Sequence, residues 1–352
     1  MSSLVVVTGH RGYIGSVLVP MLQQAGYAVR GIDVDWYRGC DFGRAPADLG
    51  DQDVVADVRD VERHHLQGAT AVIHLAALSN DPVGALDPAL TWDINHRGTL
   101  RVAEVAKAAG VRRFLFSSSC SLYGAAPDGA DVDESVPSNA VTAYGETKIA
   151  AERDLSSCAD GTFSPVYLRN ATAYGSSPRL RGDLVVNEFV ARALVENAIE
   201  IRSDGTPWRP LVHVADIGRA FLAALEADVA AVHNRAFNVG QTSQNFRVRD
   251  IAASVASQLP GSRVAIVGAP ASDTRSYRVN FDRIERELTA WQPASGLLDG
   301  VRELKASYTA HGIAIADLLG PRYTRLKRLR ALLDRGDLDG DLRWRVPALA
   351  GA

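Results

Sequence analysis

The sequence predicts an α/β protein, a doubly wound parallel sheet followed by a smaller C-terminal lobe, and three observations carry that prediction. The chain opens on a β-branched apolar run, residues 3–8, that stops at Gly9; this is the pattern of a strand buried on both faces. Similar short runs recur at 27–33, 54–56, 71–75, 113–117 and 164–168, with helical stretches between most of them, clearest over 88–109 and 144–156. Alternation of this kind puts helices on both faces of a parallel sheet. A chain of 352 residues also exceeds one small core, so a second unit is expected.

The first helix is expected from about Gly12 to Ala25, directly after the glycine turn. Beyond Arg169 the alternation fades into loops that carry Pro178, Pro207 and Pro210. The expected organisation is therefore 1–173 as the sheet domain, with segments near 211–240 available to return to it, 174–315 as a substrate-binding lobe, and 316–352 as a helical extension. In the extension Leu318, Leu319, Leu326, Leu329, Leu332 and Leu333 are spaced along one helical face. Arg322, Arg325, Lys327, Arg328 and Arg330 lie on the other, read as a solvated face of a helix packed on the body, with contact to a phosphate or a partner as the second reading.

Composition removes several function classes. Apolar residues make up 47% and charged residues 22%, with a formal net charge of −3; no basic footprint of a nucleic-acid binder is present. Cys40, Cys120 and Cys158 are odd in number and contain no CxxC pair, which fits neither a disulfide framework nor a zinc site and suits the reducing cytoplasm. No apolar run reaches membrane-spanning length, and the N-terminus lacks the basic and cleavage features of a signal peptide. The expectation is a cytoplasmic enzyme without metal, membrane or nucleic-acid partner.

The first strand leads into Thr8-Gly9-His10-Arg11-Gly12-Tyr13-Ile14-Gly15. Gly9 suits the tight turn, Gly12 lets backbone approach a pyrophosphate, and Gly15 lets a helix lie against the strand. In a first strand–helix–strand unit this predicts a Rossmann dinucleotide site, with Arg11, Tyr13 and Ile14 in the turn. Asp33 closes the second strand where a carboxylate meets adenosine ribose hydroxyls and repels a 2′-phosphate, favouring NAD over NADP; Arg30 and Arg38 stand nearby in sequence. Asp57 and Val58 follow the third strand, where an acid meets the adenine. Leu75, Ala76 and Ala77 end the fourth with small residues, and His74 is read as a strand-end histidine without a catalytic role.

Tyr144 and Lys148 stand one helical turn apart on one face. A phenol with a pKa of about 10 is a poor base at neutral pH, but a nearby ammonium favours the phenolate. It can then take a hydroxyl proton while hydride leaves the same carbon. The run Ser117-Ser118-Ser119 ends the fifth strand, where open α/β sheets place their sites, and Ser119 can hold the reacting oxygen. Catalysis is assigned to Ser119, Tyr144 and Lys148, with Ser117 beside the cofactor.

On these motifs the chain resembles the extended short-chain dehydrogenases/reductases of the nucleotide-sugar epimerase/dehydratase group, over roughly residues 4–308. The matching segments include 8–15, 74–77, 95–99, 117–124 and 144–148, with 173–175, 204–209 and 212–216 in the C-terminal half. The resemblance implies NAD, Asn95 at the cofactor, and a nucleotide-diphosphate sugar held by Asn187, Arg209 and Arg278, the two arginines as diphosphate clamps. It also implies a homodimer through the helices at 88–109 and 144–156, for which Leu90, Ile94, Val102, Val105 and Ile149 are the expected apolar material.

Family dehydratases and decarboxylases place acids beside the catalytic hydroxyl; here those positions are Cys120 and Ser121. Elimination is therefore disfavoured, and Cys120 is read as a packed thiol near the substrate rather than a base. The expected function is an NAD-dependent nucleotide-sugar epimerase acting at C4. A 4-ketoreductase or dehydrogenase using the same trio is the alternative, and a catalytically inactive NAD-sensing protein the third reading. Thr172 replaces an asparagine common in epimerases, and the runs 176–181 and 77–82 are unusually basic and polar. Both are expected to line the sugar pocket, bringing Ser79 and Arg179 to the substrate and pointing to a modified sugar.

Overall fold

Seven parallel strands form the centre of the computed structural model, which describes residues 2–124, 131–268 and 276–345. They are β1 (Leu4–Thr8), β2 (Ala28–Asp33), β3 (Asp53–Val55), β4 (Ala69–His74), β5 (Arg113–Ser119), β6 (Ser164–Asn170) and β7 (Arg235–Val239). Their order is β7-β6-β5-β4-β1-β2-β3, and every pairing is parallel. The chain winds outward from β1 to β3, then crosses back to β4, so a crevice opens at the carboxyl ends of β1 and β4. Val5, Val6 and Val7 have no exposed surface, because helices cover both faces.

The strands β5 and β6 run two residues further than hydrophobicity indicates. Ser117, Ser118 and Ser119 pair with Leu168, Arg169 and Asn170, so the ladder continues through polar residues that a pattern of apolar runs does not count. This extension carries Ser119 out to the crevice.

The helices that matter for the site are α1 (Gly15–Gln24), α2 (Pro88–Trp92), α3 (Gly98–Ala108), α4 (Ala143–Ser157), α5 (Val185–Glu196), α6 (Val214–Glu226), α7 (Leu297–His311) and α8 (Arg325–Asp334). Helix α1 begins at Gly15 rather than Gly12, because the first glycines form the turn. The single helix expected at 88–109 is interrupted by a π-helical turn, Asp93–Arg97, between α2 and α3. One extra residue in a turn marks a local functional demand more often than chance, and this turn carries Asn95.

Residues after 173 divide between two bodies. Ile217, Ala220, Phe221 and Ala224 of α6 pack with Val5, Val7, Leu18 and Leu22, and β7 completes the main sheet. The lobe has its own core, in which Val186, Phe189 and Val190 of α5 meet Val301 and Leu304 of α7 together with Ile251 and Leu211. The extension lies back on the first body: Leu329, Leu332, Leu338 and Leu342 are buried with Trp36, Leu78 and Val83. Its last residues, 346–352, lie outside those described.

The apolar residues expected on the dimerising helices are engaged within the chain: Leu90, Ile94, Val102 and Val105 are buried in its own core, and Ile149, partly buried, packs against the cluster that holds Val5, Val7 and Leu18. The apolar stripe on α2 and α3 faces the sheet, which needs it more. No helix among the described residues is long and apolar enough to cross a membrane.

Candidate active site

One cavity of about 1250 Å³ runs along the carboxyl ends of β1, β4 and β5. That exceeds the roughly 300–1,000 Å³ typical of a site for one small ligand, so two extended ligands can meet in it. At one end lies the glycine turn. Gly9 has φ +73°, and a Cβ added there would fall 2.7 Å from the Ala76 nitrogen; a Cβ on Gly15 would fall 2.4 Å from the Gly9 oxygen. Side chains at either position would push turn, loop and helix apart. Their absence lets Gly12, Tyr13 and Ile14 line the cavity at the start of α1, where the N-terminal end of a helix carries about half a positive charge. These features fit a dinucleotide diphosphate.

Asp33 reaches the same lining from β2 and accepts hydrogen bonds from the Arg11 nitrogen at 3.0 Å and the Asp35 nitrogen at 2.8 Å. Burial pushes its carboxyl pKa up. The Arg11 guanidinium turns away, held by Asp53 at 2.6 Å and by Asp35, so this residue serves the turn through its backbone. Arg30 bonds Gln52 and the His65 carbonyl, while Arg38 pairs with Asp35. Neither belongs to the cavity lining. Asp57, Val58, Leu75, Ala76 and Ala77 do line it. Asn95 is sealed from the cavity and clasps Leu78 instead, accepting from its nitrogen at 2.8 Å and donating to its oxygen at 3.1 Å. The π-helical turn thus fixes the loop after β4.

At the end of β5, the Ser119 hydroxyl accepts from the Ser121 nitrogen at 3.1 Å and acts on the Tyr144 phenol. Tyr144 is the second residue of α4, whose start is capped by Thr142: its hydroxyl takes the Gly145 nitrogen at 3.2 Å and donates to Asp81 at 2.6 Å. Lys148 donates to the Ser117 carbonyl at 2.7 Å and stands 5.7 Å from the centre of the Tyr144 ring. Burial pushes the Tyr144 phenol up to about 12, with Asp81 adding and Ser119 opposing. Burial also brings the Lys148 ammonium down to about 7, with Glu152 opposing. Both groups prefer the neutral form in a dry cleft. A cationic ring placed over them would favour the phenolate.

Beneath this trio lies a buried polar frame. Ser118 donates to Glu152 at 2.5 Å, Arg169 pairs with Glu152 at 2.7 Å, and Arg169 donates to the Tyr123 hydroxyl at 3.0 Å. Ser117 accepts from Asn170 at 3.0 Å. His74 joins three elements through Thr8 at 2.8 Å and Thr99 at 2.9 Å. Burial, then the Lys148 charge, lowers its pKa to about 3. The unfolded chain therefore takes up a proton near 6.5 that the fold refuses until about 3. Its contribution is fully present above 6.5 and lost as pH falls through that window, at up to about 1.4 kcal/mol per pH unit. Urea unfolding of wild type and His74→Gln at pH 7 and pH 4.5 is expected to give the variant the shallower loss.

The remaining expected contacts separate into two groups. Ser79, Ser121, Thr172 and Arg209 line the cavity. Cys120, Arg179, Asn187 and Arg278 do not, and each is engaged elsewhere. Cys120 is buried, donates its thiol hydrogen to the Arg169 carbonyl, and is pushed up in pKa by that burial. Arg179 meets Asp35 and Asp41, both at 3.3 Å. Asn187 pins the loop above, accepting from the Gly175 nitrogen and donating to the Arg181 carbonyl, each at 3.0 Å. Arg278 pairs with Asp131 at 3.0 Å and stacks over Trp208. In their place the structure supplies Arg181, Asp81, Tyr277 and Arg325. Arg181 is held by both oxygens of Asp183, at 2.9 and 3.0 Å. The basic run 176–181 signalled an arginine here, but only the downstream Asp183 decides which one.

A family model described as the NAD-dependent epimerase/dehydratase family matches residues 5–240. The UDP-glucose 4-epimerase of Mycolicibacterium smegmatis is 31% identical, over 84% of this chain and 95% of its own length. The human UDP-glucose 4-epimerase is 30% identical, over 84% and 94%. Among solved structures, MoeE5 in complex with UDP-glucuronic acid and NAD superposes with a TM-score of 0.75 at 28% identity, covering 87% of this chain and 99% of that one. The Thermus thermophilus UDP-glucose 4-epimerase complex with NAD gives 0.73 at 25%, covering 88% and 100%. The parallel sheet, the glycine turn and these matches together establish that the chain belongs to the NAD-dependent epimerase/dehydratase family.

Proposed function

We propose that this protein is a nucleotide-sugar 4-epimerase that keeps its NAD through the catalytic cycle. The observation that carries the reading is the convergence of Ser119, Tyr144 and Lys148 on one cavity, with no carboxylic acid at the two positions after Ser119. The 4-epimerases among its relatives support the same choice. Gly9, Gly12, Tyr13, Ile14, Asp33, Asp57, Val58, Ala76 and Ser117 form the wall assigned to NAD. Ser79, Ser121, Thr172 and Arg209 form the wall assigned to the sugar nucleotide, with the Arg209 guanidinium suited to a diphosphate.

NAD, when bound, supplies the acceptor and later the donor of hydride. Tyr144 takes the proton of the sugar 4-hydroxyl as hydride leaves C4, while Ser119 holds the oxygen and Lys148 favours the phenolate. The resulting 4-keto sugar turns over in the pocket, hydride returns to the opposite face, and Tyr144 gives the proton back to the oxygen. Electrons balance within one turnover. The three thiols are free, which accords with work in the cytoplasm.

The test is proton NMR of UDP-glucose, UDP-galactose and their N-acetylhexosamine counterparts incubated with purified protein and no added cofactor. The C4 epimer is expected to accumulate to equilibrium. Turnover that requires added cofactor and consumes one equivalent per product would replace this reading with the ketoreductase. No conversion of any of the four would remove these substrates from it.

A further inference from the structure

The extension supplies a buried guanidinium that has no ion pair of its own among the described residues. Arg325, the first residue of α8, is 2% exposed, yet it lines the large cavity. One of its terminal nitrogens, Nη2, donates to the Arg179 carbonyl at 2.8 Å, and its guanidinium lies 4.0 Å over the centre of the Tyr37 ring. The other, Nη1, is buried with no hydrogen-bond partner. A buried donor left unsatisfied costs about 1–3 kcal/mol, and more when it is charged. Burial holds the Arg325 pKa below its usual value, with Tyr37 and Asp183 opposing and the neighbouring Arg181 charge lowering it further. Arg181 already has its carboxylate in Asp183. Two guanidinium groups thus share one region of the cavity with a single carboxylate, Asp183, between them.

We propose that Arg325 is a diphosphate-binding residue for the dinucleotide, with Nη1 donating to a phosphate oxygen from the side opposite the glycine turn. Placement selects the dinucleotide over the sugar nucleotide. Arg325 lies over Tyr37, four residues after Asp33, and Asp33, Val34, Trp36 and Tyr37 line the cavity with it; Arg209 and Tyr277 mark the part of the lining next to Ser121. The helix is also fastened beside the cavity. Arg328 donates to the Trp36 and Arg38 carbonyls, both at 3.0 Å, and Trp36 donates to the Leu342 carbonyl at 3.1 Å. Leu329 and Leu332 bury against the body. The relatives compared above are covered almost to their full length by 84% of this chain, so this chain carries residues with no counterpart in them.

The experiment uses the full chain, freed of cofactor, as wild type and Arg325→Met. ADP-ribose, adenosine and UDP are titrated by calorimetry, and thermal melting of the unliganded proteins is recorded. ADP-ribose affinity is expected to fall roughly ten- to hundredfold, the range of a hydrogen bond to a charged group. Adenosine and UDP affinities are expected to hold, and the unliganded variant to melt no lower than wild type, because the substitution removes a buried charge with an unsatisfied donor. Unchanged ADP-ribose affinity, or a loss shared equally by adenosine, would overturn the assignment. A loss confined to UDP would move Arg325 to the sugar nucleotide and overturn it too. None of these outcomes depends on which sugar reaction the enzyme performs.

Discussion

Replacing Tyr144 with phenylalanine is expected to lower kcat by about 10²–10⁴-fold, the usual worth of a positioned acid–base group. The KM for the sugar nucleotide and the NAD content of the purified protein are expected to change little. The hydroxyl is the group removed; the residue stays seated beside Gly84, where an added Cβ would come within 3.1 Å of the Tyr144 Cβ. The asymmetry between kcat and KM is what marks an interaction made in the transition state. Steady-state kinetics with absorbance or mass measurement of bound NAD checks both halves. Activity within tenfold of wild type would mean that another group carries the proton, with Asp81, the carboxylate acting on Tyr144, first in line.

Glu152→Ala is expected to cause the largest loss of stability in the catalytic frame, about 3–5 kcal/mol. The substitution strips Arg169 of its counterion and Ser118 of its acceptor in a region where both ionic side chains are 10% exposed. An ion pair this deep adds little over an apolar pair, but half of one is costly. The double variant Glu152→Met, Arg169→Met is therefore expected to recover much of the loss. Urea unfolding should show the single variant's midpoint falling with an unchanged slope. Equal loss in the single and double variants would mean that shape, and not charge, is what the frame contributes.

The parts of this protein legible in its sequence are those set by short-range rules. Gly9, Gly12 and Gly15 announce the turn because only glycine tolerates such close approach, and Val5–Val7 announce a strand buried on both sides. The spacing from Tyr144 to Lys148 places both on one face of α4 by helical geometry alone. Ser119 needed more, since β5 continues past its last apolar residue on the strength of its ladder with β6. What stayed hidden is the choice among competing partners. Arg179 and Arg181 are two residues apart in one basic run, and Asp35 and Asp41 claim the first while Asp183 orients the second toward the cavity. Arg325 resembled its neighbours on a charged helical face, and only packing singled it out. Asn187 and Asn95 illustrate a third case, in which a polar residue close to a site holds the backbone that forms it.

The hydrogen bond from Trp36 to the Leu342 carbonyl joins residues 306 positions apart. Closing so long a span gives nothing back until both ends are already in place, so such contacts form late in folding. This closure rests on Leu329, Leu332, Leu338 and Leu342 buried with Trp36, Leu78 and Val83, so the free energy of opening it follows the apolar surface that it covers. How often α8 lets go of the body can be read from hydrogen exchange of its amides, with no catalytic assay at all.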